Sequence, residues 1–222
     1  MASTVEDLAS ADMVAASCFH FFDTAAEVST QTNKITALRA HQSITPRPLY
    51  VWEPQAKTCS PETLEEHKAV VKNVDIFSPN HAELASFFTK STGSAILFDK
   101  GTIERQARAF LPSLISHPLC ILIRCAEHGC LVLSATPEGE KTVWMPPYHL
   151  SGSTSVVDPT GAGNAFLGGV AMGYLEHGDF FKAAAYGSVA ASFAVETVGL
   201  PDIQQCGAKT RLEDYVSRLG KA

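Results

Sequence analysis

The sequence predicts an α/β fold, a mainly parallel sheet with helices on its faces, and three observations carry that prediction. Strand-like and helix-like segments alternate along the 222 residues, which is the pattern left by crossover helices between parallel strands. One strand candidate, PLCILIRC (118–125), is nearly all apolar, as a strand buried on both faces requires. A glycine-punctuated turn, DPTGAGN (158–164), separates a β-branched run from an apolar helical run. No repeat, low-complexity tract or linker interrupts the chain, so a single domain over 1–222 is expected, with 1–18 and 203–222 peripheral.

Taken in order, CFHFFD is the one strand candidate in the first forty-odd residues, where the pattern is weakest. PLYVWEP (48–54) is a β-rich run closed by Pro54. SPETLEEHKAVVKN (60–73) reads as a helix capped by Ser60, with Pro61 in its first turn and Glu62 and Glu65 near its positive end. VDIFSP (74–79) reads as a strand, and NHAELASFFTK (80–90) as a helix opening at Asn80. TIERQARAFLPSLI is helical up to the interruption at Pro112. PLCILIRC and CLVLSA (130–135) form strands joined by the tight turn AEHG, and KTVWMPP is a weaker strand in which Trp144 and Met145 serve packing. STSVVD (153–158) reads as the strand entering the glycine turn. Residues 162–176 then form a helix with Phe166, Val170 and Tyr174 four apart. DFFKAAAYGSVAASFAVETVG is a further helix, capped by Asp179, stopped by Gly199 and apolar almost all round, hence buried. TRLEDYVSRLG is a last amphipathic piece.

Composition narrows the function classes. With 45% hydrophobic and 18% charged residues the chain is an ordinary globular protein, and a formal charge of −6 argues against a nucleic-acid partner. No apolar run reaches the length of a membrane span, and the N-terminus, with Glu6, Asp7 and Asp12 and no basic residue, does not read as a targeting signal. A cytoplasmic location is the expectation. The six cysteines form no CxxC pair and match no zinc spacing, so they read as reduced, buried thiols; none of the eight histidines is assigned a role.

The chemistry centres on the glycine turn. A helix starting near Ala162 places Gly161, Ala162 and Gly163 at its N-terminus, where unpaired N–H groups and the helix dipole favour an anion. Glycine at 161 and 163 permits a sharp turn and close backbone approach, and Gly168 and Gly169 suit tight packing of that helix on the sheet. The run lacks the lysine of a P-loop, and Phe166 stands where a dinucleotide fingerprint needs its third glycine. As a bare pattern, a structural turn accounts for GAG equally well.

With its surroundings, VVDPTGAGNAFLGG resembles the C-terminal signature of the PfkB, or ribokinase-like, carbohydrate kinases. VDIFSPNHAELA is similar to that family's Asn-x-x-Glu segment, the AEHG hairpin to its nucleotide-side hairpin, and AASFAVETVGLP to the helix closing its adenine pocket. The wording VWEPQAKTCSPETL and SPNHAEL is closer still to a fungal branch of the family, the maintenance-of-killer type. The resemblance implies a three-layer α/β/α ribokinase-like fold and ATP-dependent transfer of a phosphoryl group to a sugar or nucleoside hydroxyl, with Mg²⁺. Gly161, Ala162 and Gly163 would form the anion hole, and Asn164 would occupy the position of the general base. Asn80, Glu83, Arg124, Gly129 and Asp158 would lie on the cofactor side, with Glu83 reaching Mg²⁺ through water.

The sequence departs from the family pattern in three places. Asn164 replaces an aspartate, and an amide orients a hydroxyl but accepts no proton. The family's N-terminal strands, lid and substrate-holding glycine pair are not found, the first glycine being Gly93, and an exposed sheet edge is expected to offer a homodimer or partner contact. Arg124 and Ala126 stand where a small polar residue and a glycine are more usual. Three readings therefore stand: a carbohydrate kinase, a non-catalytic pseudokinase scaffold, and a truncated product retaining part of a fold. Plainer roles also remain for single residues. Asp158 suits a loop cap, Asn80 a helix N-cap, and Glu83 the other half of a capping box with it.

Overall fold

The structure, a computed structural model, describes residues 13–89, 98–201 and 207–220. Glu6, Asp7, Asp12, Lys90, Gly93, Cys206 and most of the peripheral 1–18 segment lie outside them. Six strands form one sheet in sequence order: β1 (Cys18–Asp23), β2 (Leu49–Pro54), β3 (Ile76–Phe77), β4 (Leu119–Arg124), β5 (Cys130–Thr136) and β6 (Gly139–Met145). The first four are parallel, with Phe21, Trp52, Phe77 and Ile121 in one row across them. The links 125–129 and 137–138 are too short for crossovers, so the last two strands join as antiparallel hairpins. The expected mainly parallel α/β sheet is therefore present. Among the described residues β1 ends it.

Contacts within the chain group into two compact units, Met1–Ile121 with Ala135–Glu140, and Leu122–Ser134 with Lys141–Ala222. In the first unit the crossovers carry α1 (Ala25–His41), α2 (Leu64–Val71), α3 (His81–Ser86) and α4 (Lys100–Arg108). Its centre is an aromatic ring of contacts. Trp52 stacks on His67 at 5.2 Å and meets Phe77 at 4.8 Å. Phe110 touches both Phe77 and Phe87, and Phe87 returns to His67 at 4.7 Å. Trp52 keeps its one donor satisfied by bonding Asp23 O at 3.0 Å. Helix α1 was not foreseen. Its start is set by a capping box, Glu27 N–H to Thr24 Oγ1 and Thr24 N–H to Glu27 Oε2. Arg39, buried on its inner face, donates to the carbonyls of Val14, Ala16 and Pro46.

The second unit contains α5 (Ala162–His177), α6 (Phe180–Val195) and α7 (Ala208–Leu219). Helices α5 and α6 pack through glycines. A Cβ at Gly169 would lie 2.7 Å from Tyr186 O, and one at Gly187 would lie 2.8 Å from Phe166 O. Asp179 caps α6 as expected, accepting from the N–H groups of Phe181 and Lys182.

Several boundaries differ from the sequence reading. STSVVD is no strand. It runs as turns and irregular chain outside the sheet, with Val156 and Val157 44% and 59% exposed. Gly169 packs on α6 rather than on the sheet, and Gly168 faces open space. The helix expected from Ser60 begins at Leu64, because Thr63 Oγ1 bonds Ser60 N–H and Thr58 O and holds 60–63 in a turn. The strand at 74–79 contracts to 76–77. The helix expected to end near Pro112 runs Lys100–Arg108 from an Asp99 cap. Helix α6 ends at Val195, four residues short of Gly199.

Candidate functional site

Local hydrogen bonds shape the glycine turn. Asp158 Oδ1 accepts the Thr160 N–H at 2.9 Å, a side-chain turn that aims the chain around Pro159. The Thr160 side-chain and backbone bonds hold the Asp158 carboxyl below the usual carboxylate range. Gly161 follows at φ 80°, in the left-handed region where a Cβ is strained, and serves as N-cap of α5. Because a glycine has no side chain to accept, this 16-residue helix begins without a side-chain cap. Ala162 N–H is directed to Pro159 O at 3.2 Å, and Ala165 N–H opens the helical ladder by bonding Gly161 O. The N–H groups of Gly163 and Asn164 lie between, in the turn where the helix dipole is most positive. Gly161 and Asn164 are exposed.

Arg124, at the end of β4, reaches the same turn. A Cβ at position 163 would lie 2.5 Å from Arg124 Nη1 and 3.8 Å from Cζ, so glycine at 163 is what lets the guanidinium settle there. A fixed cation and a helix N-terminus thus share one surface, with a neutral amide at 164. Gly129 is placed by the hairpin that follows β4. At φ 84° a side chain there would run into Met145 O and the Pro146–Pro147 backbone.

In the other unit, Asn80 and Glu83 form a complete capping box on α3. Asn80 Oδ1 accepts from the N–H groups of Ala82 and Glu83 at 2.9 Å each, and Glu83 Oε2 accepts from Asn80 N–H at 2.8 Å. The plainer role of this pair is therefore realised, and it fixes the Glu83 carboxyl at the carboxyl end of β3, the edge where open α/β sheets bind ligands. Among the described residues no three His, Cys, Asp or Glu side chains gather into a metal cage. Magnesium needs none, since it keeps several waters and is held by one or two carboxylates with substrate phosphates. Glu83 fits that demand.

Sequence reasoning missed the support behind the turn. Val157 and Asp158 donate their N–H groups to Val195 O, at 2.8 and 3.1 Å, so the end of α6 anchors the chain entering the loop. Burial raises the thiols of Cys59, to about 12, and Cys18, to about 11, and places them among inert cysteines. No helix among the described residues is long and apolar enough to cross a membrane.

Comparison with known proteins agrees with the motifs. The model of a family described as pfkB family carbohydrate kinase matches residues 1–204, a span that includes parts of both units. The chain is 30% identical over 195 residues to Protein MAK32 of Saccharomyces cerevisiae, covering 82% of this chain and 53% of that protein. It is 36% identical over 107 residues to inositol 3-kinase of Arabidopsis thaliana, covering 48% of this chain and 28% of that one. Among solved structures, Arabidopsis thaliana ribokinase complexed with ribose and ATP aligns with a TM-score of 0.62 at 17% identity, over 95% of this chain and 59% of that chain. The chain spans about half the length of the curated relatives it matches over most of its own.

Proposed function

The chain belongs to the pfkB family of carbohydrate kinases, and from that premise we propose that its glycine turn binds the phosphates of ATP–Mg²⁺, with transfer to a sugar-like hydroxyl slowed by Asn164. One observation carries the reading: α5 begins on the left-handed, exposed Gly161 with no side-chain cap, and the Arg124 guanidinium lies against Gly163. Together these give a polyphosphate backbone donors, a dipole and a fixed charge on one surface. Gly163 and Asn164 donate N–H groups to the phosphoryl oxygens, Arg124 neutralises their charge, and Asp158 keeps the turn in shape. When bound, Mg²⁺ would supply further charge neutralisation, and Glu83 of the first unit, oriented by the capping box with Asn80, is the carboxylate to which the family resemblance gives that ion. Asn164 positions the acceptor hydroxyl but takes no proton, so general-base assistance worth roughly 10²–10⁴ in rate is missing. Most of the catalysis of phosphoryl transfer is positioning and electrostatics, so nucleotide binding survives that loss.

The neutral amide also supports a second reading, a pseudokinase scaffold acting through partners. Calorimetric titration of ATP–Mg²⁺ into the purified chain tests the shared part, and absence of binding refutes both readings. Asn164→Asp separates them, assayed for ATP turnover against a panel of sugars and nucleosides. A rise of about 10²-fold or more supports a kinase site limited by its base. Turnover that stays at background supports the scaffold.

A further inference from the structure

Glu196 follows the last residue of α6, at the negative end of the helix dipole, where a carboxylate is disfavoured. Its presence there is explained by its partners. Arg211, in the first turn of α7, grips it with both prongs, Nη1 to Oε1 and Nη2 to Oε2, each at 2.7 Å. His149 Nε2 lies 2.9 Å from Oε1 on the other side. The Arg211 guanidinium stacks over the Phe193 ring at 4.0 Å, and Nη1 also bonds Ser192 Oγ at 3.0 Å. Ser192, Phe193 and the cap residue Glu196, around the final turn of α6, are thereby held from α7. The hydrogen bonds from Arg211 are the main cause that holds the Glu196 carboxyl below the usual range.

That turn ends in the carbonyl that receives Val157 and Asp158. Helix ends fray when their last carbonyls lack support. Here the carbonyl of Val195 is fixed by the residue beside it, and in turn fixes the chain two residues before the turn at Thr160. The segment bearing His149 is pinned by the same helix. Tyr215 OH donates to Pro146 O at 2.5 Å, and Arg218 Nη1 donates to Tyr148 O at 3.1 Å. Helix α7, which supplies Arg211, Tyr215 and Arg218, lies beyond the residues matched by the family model.

We propose that Arg211, acting through Glu196, is a positioning residue for the glycine turn: its fork holds the end of α6, whose Val195 carbonyl sets the loop that binds phosphate. The proposal rests on the reading of that turn as the nucleotide site, but its structural step can be observed without nucleotide. Hydrogen exchange of the Val157 and Asp158 amides is followed by NMR in the full chain, alongside ATP–Mg²⁺ affinity, for Arg211→Ala, Arg211→Lys and Glu196→Gln, with exposed Asp214→Ala as control. In Arg211→Ala and Glu196→Gln both amides exchange faster by about tenfold or more, the scale expected when hydrogen bonds to a charged group are lost. Amides in the middle of α5 and α6 keep their protection. ATP affinity falls by about 10–100-fold, as loop misplacement predicts. Arg211→Lys falls between, because an ammonium has no fork, and Asp214→Ala matches the wild type.

Unchanged exchange at Val157 and Asp158 in folded Arg211→Ala and Glu196→Gln overturns the proposal, as does equal loss of protection across α5 and α6. If Arg211→Ala does not fold, Arg211→Lys and Glu196→Gln carry the same comparison. Wild-type protein that shows no ATP affinity, while the variants lose protection selectively, overturns the nucleotide reading and leaves the bracing of the loop standing.

Discussion

Replacing two adjacent glycines of α5 by alanine should move stability in opposite directions. At Gly169 an added Cβ would lie 2.7 Å from Tyr186 O, 2.8 Å from Ala190 Cβ and 2.9 Å from Gly187 Cα. Two of those atoms are backbone and none can rotate away, so α5 and α6 must separate. With all three contacts below 3.0 Å the cost lies in the upper part of the overpacking range, about 2–3 kcal/mol, and about 1 kcal/mol of helix propensity offsets it, for a net loss of about 1–2 kcal/mol. At Gly168 nothing lies within 4 Å of the added carbon, and only the propensity gain of about 0.5–1 kcal/mol remains. At roughly 2–4 °C per kcal/mol for a chain of this size, Gly169→Ala lowers Tm by about 2–8 °C and Gly168→Ala raises it by about 1–4 °C. Thermal unfolding by calorimetry or circular dichroism reads both. If both variants gain stability, the close α5–α6 contact is wrong, and with it the placement of the helix that would present the proposed phosphate site.

Further predictions concern the loop and the buried histidine. Gly161→Ala forces a side chain into the left-handed region, costs about 1 kcal/mol in urea unfolding and weakens ATP–Mg²⁺ binding; unaltered values for both would place Gly161 outside that conformation. His67 is 1% exposed, and burial lowers its pKa below the ordinary 6.5 even though its ring bonds Thr63 O. The unfolded imidazole therefore takes up its proton before the folded one. Its contribution to stability is full above pH 6.5 and is lost as pH falls through the lowered folded value. His67→Phe should flatten the decline in unfolding free energy between about pH 7 and 5.5. An identical slope in both proteins would show that another group controls it.

Local chemistry explains which parts of the fold were legible. Nearly apolar runs such as PLCILIRC read as buried strands, and Asp179 announced α6 because a cap acts on the two or three residues beside it. Helix α1 was missed because its face is built from Val28, Thr32, Ile35 and Arg39, with a threonine and an arginine where apolar residues were sought. Its capping box, Thr24 with Glu27, was the available signal. STSVVD misled for the opposite reason: β-branched residues favour a strand only where a sheet offers a neighbour, and here the available acceptor is the end of α6.

The sequence by itself determined the family, the α/β class and the one-letter change at Asn164, since each resides in residue types at fixed spacing. Tertiary structure alone decided that Arg124 meets Gly163 and that Arg211 holds the last turn of α6, whereas the local cap of Asn80 with Glu83 was open to the sequence. Arg124 and Gly163 are far apart in the chain, and Glu196 and Arg211, 15 residues apart, belong to the end of one helix and the start of the next. Whether such groups touch depends on how helices pack, which no local pattern encodes.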